Sequence, residues 1–515
     1  MRYILAILTS LLMVFAVVEL ITRLSSTPSA LEPDATLGWV YRPGEHLLRK
    51  IEGKDGREWD FRTNAARLRA PEGYGAGSRG ASESRILLLG DSFTLGWGLD
   101  SHETFASVLE ERLAKEGRHA TVIPAGTEGY STDQECLWLE NHGTAYQPNV
   151  VVVLPYANDV VWNAQERYLA SGKPRFDDTA SAASTAVDHR SAFVKYSRLI
   201  SKLASMRLSF GSILNVPGGG RMQLDDWVFL KSKPPEAEAG WKKTVAIAKR
   251  MVAKGTAMGA RVVCAPIPNR FESHMEDGVV FESLTGVPSG GLDFTIPARR
   301  FGEVFTAAGA TVLDTVGPVK AAAANGQRLY FQQDWHFNAA GAQVFANALY
   351  DGLSKANLLP PSGAAKANHP TLASASPHHA KGGIPTWLFV VGGLWIVLTI
   401  AFKLSYPDEN PLFAALKVAC LLGFVVGVFT LVGYLGKIAP PGAMGFVVFL
   451  LVGGIAIYGI VKTAPRFGTI GELFKVLVDR GHWYLVPVLV VMLTISILLV
   501  VAQNPVVAPF IYTLF

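Results

Sequence analysis

Residues 85–92 read RILLLGDS. Ile86 to Leu89 form a short, wholly apolar run, which suits a strand buried on both faces, and Gly90-Asp91-Ser92 supplies a polar turn at its end. The same unit recurs outward along the chain as ATVIPAG (120–126), NVVVVLPY (149–156), ARVVCAPIP (260–268) and ATVLDT (310–315). Helices are expected between and after these strands, at about 102–116, 132–146, 238–257, 296–308 and 338–355. Asp100 with Glu103, and Thr132 with Glu135, carry the spacing of a helix-capping box. Strands alternating with helices imply an α/β fold with a parallel sheet of about five strands buried on both faces. Residues 162–236 read as an insertion with a helix near 193–207. Residues 31–80, polar and rich in Gly and Pro, read as a few irregular strands.

Half of the 515 residues are hydrophobic and 17% are charged, with a mean hydropathy of +0.26. Only 11 of the 89 charged side chains lie beyond Ile384, so a soluble part is followed by an apolar one. The net charge of +5 comes without a basic stripe, which argues against nucleic-acid binding. Three cysteines, Cys136, Cys264 and Cys420, exclude a disulfide scaffold and a Cys-rich metal site. Cys136 and Cys264 are open to two readings, a bridge or buried free thiols. The pair His378-His379 sits in a linker without other ligands nearby, and neither metal nor cofactor is expected.

Tyr3 to Leu20 is one apolar run behind Arg2, longer than a signal-peptide core and without a good cleavage site, and reads as an uncleaved anchor. Four further runs, Trp387–Phe402, Pro411–Leu435, Phe446–Val461 and Tyr484–Val501, are near spanning length. Lys462, Arg466, Lys475 and Arg480 cluster between the third and fourth, which places that loop in the cytoplasm and residues 25–384 outside. The expected organisation is an anchor (1–24), extracytoplasmic lead-in strands (25–84), the α/β domain (85–355), a flexible linker (356–384), transmembrane helices (385–465) and a C-terminal transmembrane domain (466–515). Small residues in those helices, Gly423, Gly427, Gly453 and Gly454, suit packing within the chain or against membrane-protein partners or a second copy.

Three strand ends and the start of the last helix carry chemistry-bearing residues. Ser92 follows the first; Gly126 through Thr132 follow the second; Tyr156-Ala157-Asn158-Asp159 follows the third; Gln333-Asp334-Trp335-His336-Phe337-Asn338 precedes the last helix. A serine hydroxyl needs a base within hydrogen-bond reach and donors for the oxyanion that forms. Singly, Ser92 also fits a helix cap, Asn158 and Asp159 turn residues, Gly126 a tight turn, and His336 a core histidine. Asp91 and Asp159 suit loop-holding hydrogen bonds. Trp97, Tyr130, Tyr156 and Trp335 lie near these blocks and suit either a substrate rim or ordinary packing.

The four blocks in this order resemble the SGNH (GDSL-type) hydrolase superfamily over about residues 35–355, in the form of its membrane-anchored bacterial members. The resemblance implies the SGNH fold, with a flavodoxin-like parallel sheet of about five strands, and gives Ser92 as nucleophile, His336 as general base and Asp334 as its orienting carboxylate. It implies an oxyanion hole from the backbone N–H groups of Ser92 and Gly126 and the Asn158 amide. Two positions depart from the pattern. Tyr156 replaces a glycine, and the acid precedes His336 by two residues where the usual spacing is three, a position held by Gln333. The shorter Asp-x-His spacing resembles alginate O-acetyltransferase-like relatives. Residues 467–515 resemble a small domain of unknown function that accompanies SxtJ-type membrane proteins, which residues 385–465 loosely resemble.

These observations lead to a multi-pass protein of the bacterial inner membrane, its catalytic domain extracytoplasmic. It would act as a serine esterase or O-acyltransferase on acyl esters of an envelope or exported glycan, or of a lipid-linked substrate. The alternative is a non-catalytic scaffolding subunit of an envelope-polymer assembly complex.

Overall fold

The computed structural model describes residues 30–51, 55–77, 83–164, 213–216, 219–332 and 334–362, with scattered positions at 15–22, 173–200, 395–419 and 475–479. The anchor, the four C-terminal spans, most of the linker and the helix expected at 193–207 fall largely or wholly outside the described residues. Among the described residues no helix is long and apolar enough to cross a membrane. The chain divides into two compact units: residues 28–195 with 204–375, and residues 1–27 with 196–203 and 376–515. All elements named below belong to the former.

Two antiparallel hairpins lead in: β1 (Leu31–Asp34) with β2 (Gly38–Tyr41), and β3 (His46–Lys50) with β4 (Glu58–Arg62). Then follow β5 (Ser84–Gly90), α1 (Ser92–Leu95), α2 (Phe105–Lys115), β6 (Ala120–Gly126), α3 (Thr132–Trp138), β7 (Val150–Val153) and α4 (Asp159–Trp162). After a small hairpin, β8 (Ile213–Asn215) with β9 (Arg221–Gln223), come α5 (Pro235–Ala257), β10 (Arg261–Cys264), α6 (Arg270–Ser273) and α7 (Met275–Thr285). The domain closes with α8 (Ile296–Ala307), β11 (Thr311–Val312), α9 (Val316–Ala324) and α10 (Ala339–Lys355).

The main sheet has the order β6-β5-β7-β10-β11 with every pair parallel. Counted along the chain this is 2-1-3-4-5, the flavodoxin arrangement, whose crevice opens at the carboxyl ends of β5 and β7 where the order reverses. Alternate residues feed two cores. Leu87, Leu89, Val151 and Val153 pack with Trp241, Ile247 and Phe301 on one face. Ile86, Leu88, Val150 and Val152 pack with Leu109, Phe345 and Leu349 on the other. Each such side chain contributes about 1.5–3 kcal/mol when fully removed from water, so the central strands hold the strand ends rigid.

Some boundaries differ from expectation for local reasons. β7 stops at Val153 and β10 at Cys264, before Pro155, Pro266 and Pro268, which have no N–H to give the ladder. α3 passes into a π-helical turn at Leu139–Gly143 before reaching Tyr146. The capping box at Asp100 and Glu103 forms, on a 3₁₀ turn. The one expected at Thr132 and Glu135 does not. Ser131 is the N-cap, Thr132 Oγ1 donates to Asp159 (3.2 Å), and both Glu135 carboxylate oxygens are buried without a partner among the described residues. Cys136 and Cys264 are buried free thiols.

Candidate active site

β5 delivers Ser92 to the crevice through a tight turn. Asp91 caps α1 by accepting from the Phe93 N–H (2.8 Å). The turn folds back so closely that a Cβ on Gly126, which pairs with Gly90 across the sheet, would stand 2.4 Å from the Leu95 nitrogen. No side chain fits there. The loop after β7 is shaped by Asp159, whose Oδ2 accepts from the Tyr156 N–H (3.0 Å).

His336 arrives on a short loop closed by the Tyr330–Phe337 bridge and the Phe331 N–H to His336 O bond (3.1 Å). Its Nε2 lies 2.7 Å from Ser92 Oγ and its Nδ1 2.5 Å from Asp334 Oδ1. The Asp-x-His spacing works because the same Asp334 oxygen also accepts the His336 backbone N–H (2.9 Å), an Asx turn that bends the carboxylate toward its own neighbour's ring. With Nδ1–H donated to Asp334, Nε2 presents its lone pair to the serine hydroxyl. The imidazole sits between Phe93 and Trp97, with ring centroids 4.7 and 5.7 Å away.

Charge beneath the crevice is unusual. Burial outweighs the opposing field of His336 and pushes the Asp91 carboxyl up to about 6. Burial also raises Glu135 and Asp159, each reinforced by neighbouring carboxylates. Burial alone would raise Asp334 too, but the bonds from His336 and Trp97 outweigh it and hold this carboxyl below its usual value. Lys173, fully buried, pairs with Asp133 at 2.7 Å and donates to Ser131 Oγ (2.6 Å), pinning the start of α3.

A cleft of about 240 Å³ opens over Ser92 and His336. Tyr156, Trp335 and Asn158 line it, as does Gly129. Tyr156, at the position where the related pattern has glycine, packs against the Phe93 ring with centroids 4.5 Å apart and lines the cleft. Gly126 borders α1 and is not among the lining residues. Two rim expectations need correction. Tyr130 is buried and donates its hydroxyl to Trp39 O (2.7 Å), away from the cleft. Trp97 is also absent from the lining: its ring covers His336, and its indole N–H donates to Asp334 Oδ2 (3.2 Å).

The sequence did not reveal the opposite wall. Gln223, Asp225, Asp226 and Phe229, from the insertion, complete the cleft, and burial raises both aspartate carboxyls. No spacing relative to the four motif blocks marks them.

Residues 88–344 match the GDSL-like lipase/acylhydrolase family. These residues are a GDSL-like lipase/acylhydrolase domain. Among solved structures the hydrolase domain is similar to a lipase/acylhydrolase from Enterococcus faecalis (14% identity, 54% of this chain and 98% of that one, TM-score 0.31). It is similar to an acetyl xylan esterase (13%, 52% and 98%, TM-score 0.31). A putative GDSL-like lipase from Parabacteroides merdae is a third (14%, 53% and 95%, TM-score 0.31). Residues 467–515, beyond the hydrolase domain, match a family of unknown function (DUF5989). No curated protein matches the chain.

Proposed function

We propose that the chain is a membrane-anchored, outward-facing serine enzyme that cleaves or transfers short acyl groups, acetyl above all, on an envelope or exported glycan. The observation that carries this reading is the continuous hydrogen-bonded chain from Ser92 Oγ through His336 to Asp334 at the floor of a small cleft.

Ser92 Oγ attacks the ester carbonyl while its proton passes to His336 Nε2. The oxyanion forms beside Asn158 and the crevice N–H groups. Collapse breaks the bond to the alcohol oxygen, which takes the proton back from His336 and leaves an acyl-Ser92 ester. Water, or a sugar hydroxyl in the transferase direction, then gives its proton to His336 and takes the acyl group, restoring Ser92. Asn158→Ala is expected to lower kcat by about 10²–10³-fold with little change in KM, the loss for one oxyanion donor. A rise in KM alone would make Asn158 a substrate-binding residue only.

The size of the cleft supports a short acyl group, since about 240 Å³ is below the usual range for drug-sized ligands. Its walls suit a sugar, with the aromatic side chains of Tyr156 and Trp335 beside the polar groups of Asn158, Gln223, Asp225 and Asp226. The membrane assignment rests on the five apolar runs, and the outward topology on the Lys/Arg cluster between the last two. Aryl acetate and aryl octanoate, compared on the full chain, test the acyl-size reading. The acetate should be turned over at least about tenfold better in kcat/KM; a preference for octanoate would replace it with a lipase reading.

A further inference from the structure

The loop that carries Asp334 and His336 is held by a part of the chain outside the matched hydrolase residues, 88–344. Its carbonyls are tied from within the domain: Arg270 Nη1 donates to Gln332 O (2.8 Å) and to Phe331 O (3.3 Å). Two of its amides are tied from elsewhere. Asp55, in the turn between β3 and β4, accepts the Gln332 N–H on Oδ1 (2.6 Å) and the Asp334 N–H on Oδ2 (3.3 Å).

The same hairpin backs Trp97. The Arg49 guanidinium, on β3, lies 4.2 Å from the Trp97 ring centroid, and Trp59, on β4, packs against it at 5.7 Å. Trp97 in turn donates to Asp334 Oδ2, leaving Oδ1 for His336. Hairpin and loop meet at Gly98, where a Cβ would stand 2.3 Å from Ile51 Cδ1 and 2.7 Å from Phe331 Cε2.

We propose that the β3–β4 hairpin is a clamp on the Asp334–His336 loop, with Asp55 and Trp97 as positioning residues. Asp55 fixes the backbone of the loop, and Trp97 fixes the plane of the Asp334 carboxylate against the imidazole. The clamp rests on the reading of Ser92, His336 and Asp334 as the reacting set. Geometry of this kind acts on rate more than on stability. Gln332 is exposed, so its released amide can turn to water, whereas a shift of about 1 Å at an orienting group costs up to about 10²-fold in rate.

The test uses the full-length protein with a fluorophosphonate and an aryl acetate. Asp55→Ala should lower kcat and the rate constant of Ser92 phosphonylation about tenfold, with KM and the final labelled fraction unchanged. A merely structural role would lower the labelled fraction instead. Asp55→Asn, which keeps one acceptor oxygen, should recover part of the rate. Trp97→Phe, which keeps an aromatic ring of smaller area and removes the N–H, should slow both reactions about threefold to tenfold. It should have no further effect in an Asp334→Ala background, because it acts through that carboxylate. Wild-type rates in both Asp55→Ala and Trp97→Phe would overturn the clamp alone, as would a Trp97→Phe loss that persists without Asp334. A wild-type protein that is never labelled would overturn the reading of Ser92 and the clamp with it.

Discussion

Ser92→Ala is expected to lower turnover of a small aryl ester by about 10⁶-fold, and His336→Ala by about the same amount. The two losses should not add. Without the Oγ there is nothing for the imidazole to deprotonate, and without the imidazole a hydroxyl 2.7 Å away keeps its proton at neutral pH. The double variant should therefore match either single one, with a residual rate set by the cleft and its oxyanion donors. Steady-state rates of the three purified proteins, corrected for folded fraction, decide this. A Ser92→Ala protein as active as the wild type would leave the cleft without a nucleophile and return the domain to a binding role.

Asp334→Asn should cost less, about 10⁴-fold in kcat, with KM little changed. The amide keeps the size of the carboxylate, and with its oxygen facing the Trp97 indole N–H its nitrogen takes the place of Oδ1, at the loss of the bond from the His336 backbone N–H. What changes is the partner of Nδ1. A carboxylate held below its usual pKa by His336 and Trp97 accepts the Nδ1–H and stabilises the imidazolium that forms during attack. An amide can instead present an N–H, which favours the wrong ring tautomer and places the proton on Nε2, facing Ser92. The loss should therefore appear in kcat across the neutral range. A rate within a few-fold of wild type would mean that Asp334 shapes the loop without polarising the imidazole.

The sheet was legible because each central strand is short, wholly apolar and ended by a turn, so Ile86 to Leu89 and Val150 to Val153 declare themselves without an alignment. The motif residues were legible for a related reason. Ser92, Asn158 and His336 stand at or next to strand ends or a helix start, and the open parallel sheet brings those ends to one crevice. Asp334 came through the family resemblance, and the structure supplies the reason its shorter spacing works, a local Asx turn that brings the carboxylate to the ring.

What stayed hidden depends on contacts between distant segments. Asp55 and Gln332 are 277 positions apart, and nothing in the lead-in composition marks that turn as the anchor of a loop near the domain's end. Proximity in sequence leaves Trp97 open between rim and packing, and only the fold shows its ring against His336 and its N–H on Asp334. Tyr130 likewise takes the packing alternative, buried with its hydroxyl donated to Trp39 O. Glu135 met the pattern of a capping box but lies inside α3, where tertiary burial overrode the local signal. The acidic wall of Asp225 and Asp226 follows from where an irregular insertion folds back, which no periodicity encodes.

The most direct test of the account is the site of covalent reaction. Fluorophosphonate, incubated with the folded full-length protein, should add its phosphonyl group to Ser92 Oγ and expel fluoride. The adduct should be found by peptide mass spectrometry on the segment containing Gly90-Asp91-Ser92, and be absent after heat denaturation or in His336→Ala. An adduct on any other residue, or a native protein with Ser92 unmodified, would contradict it.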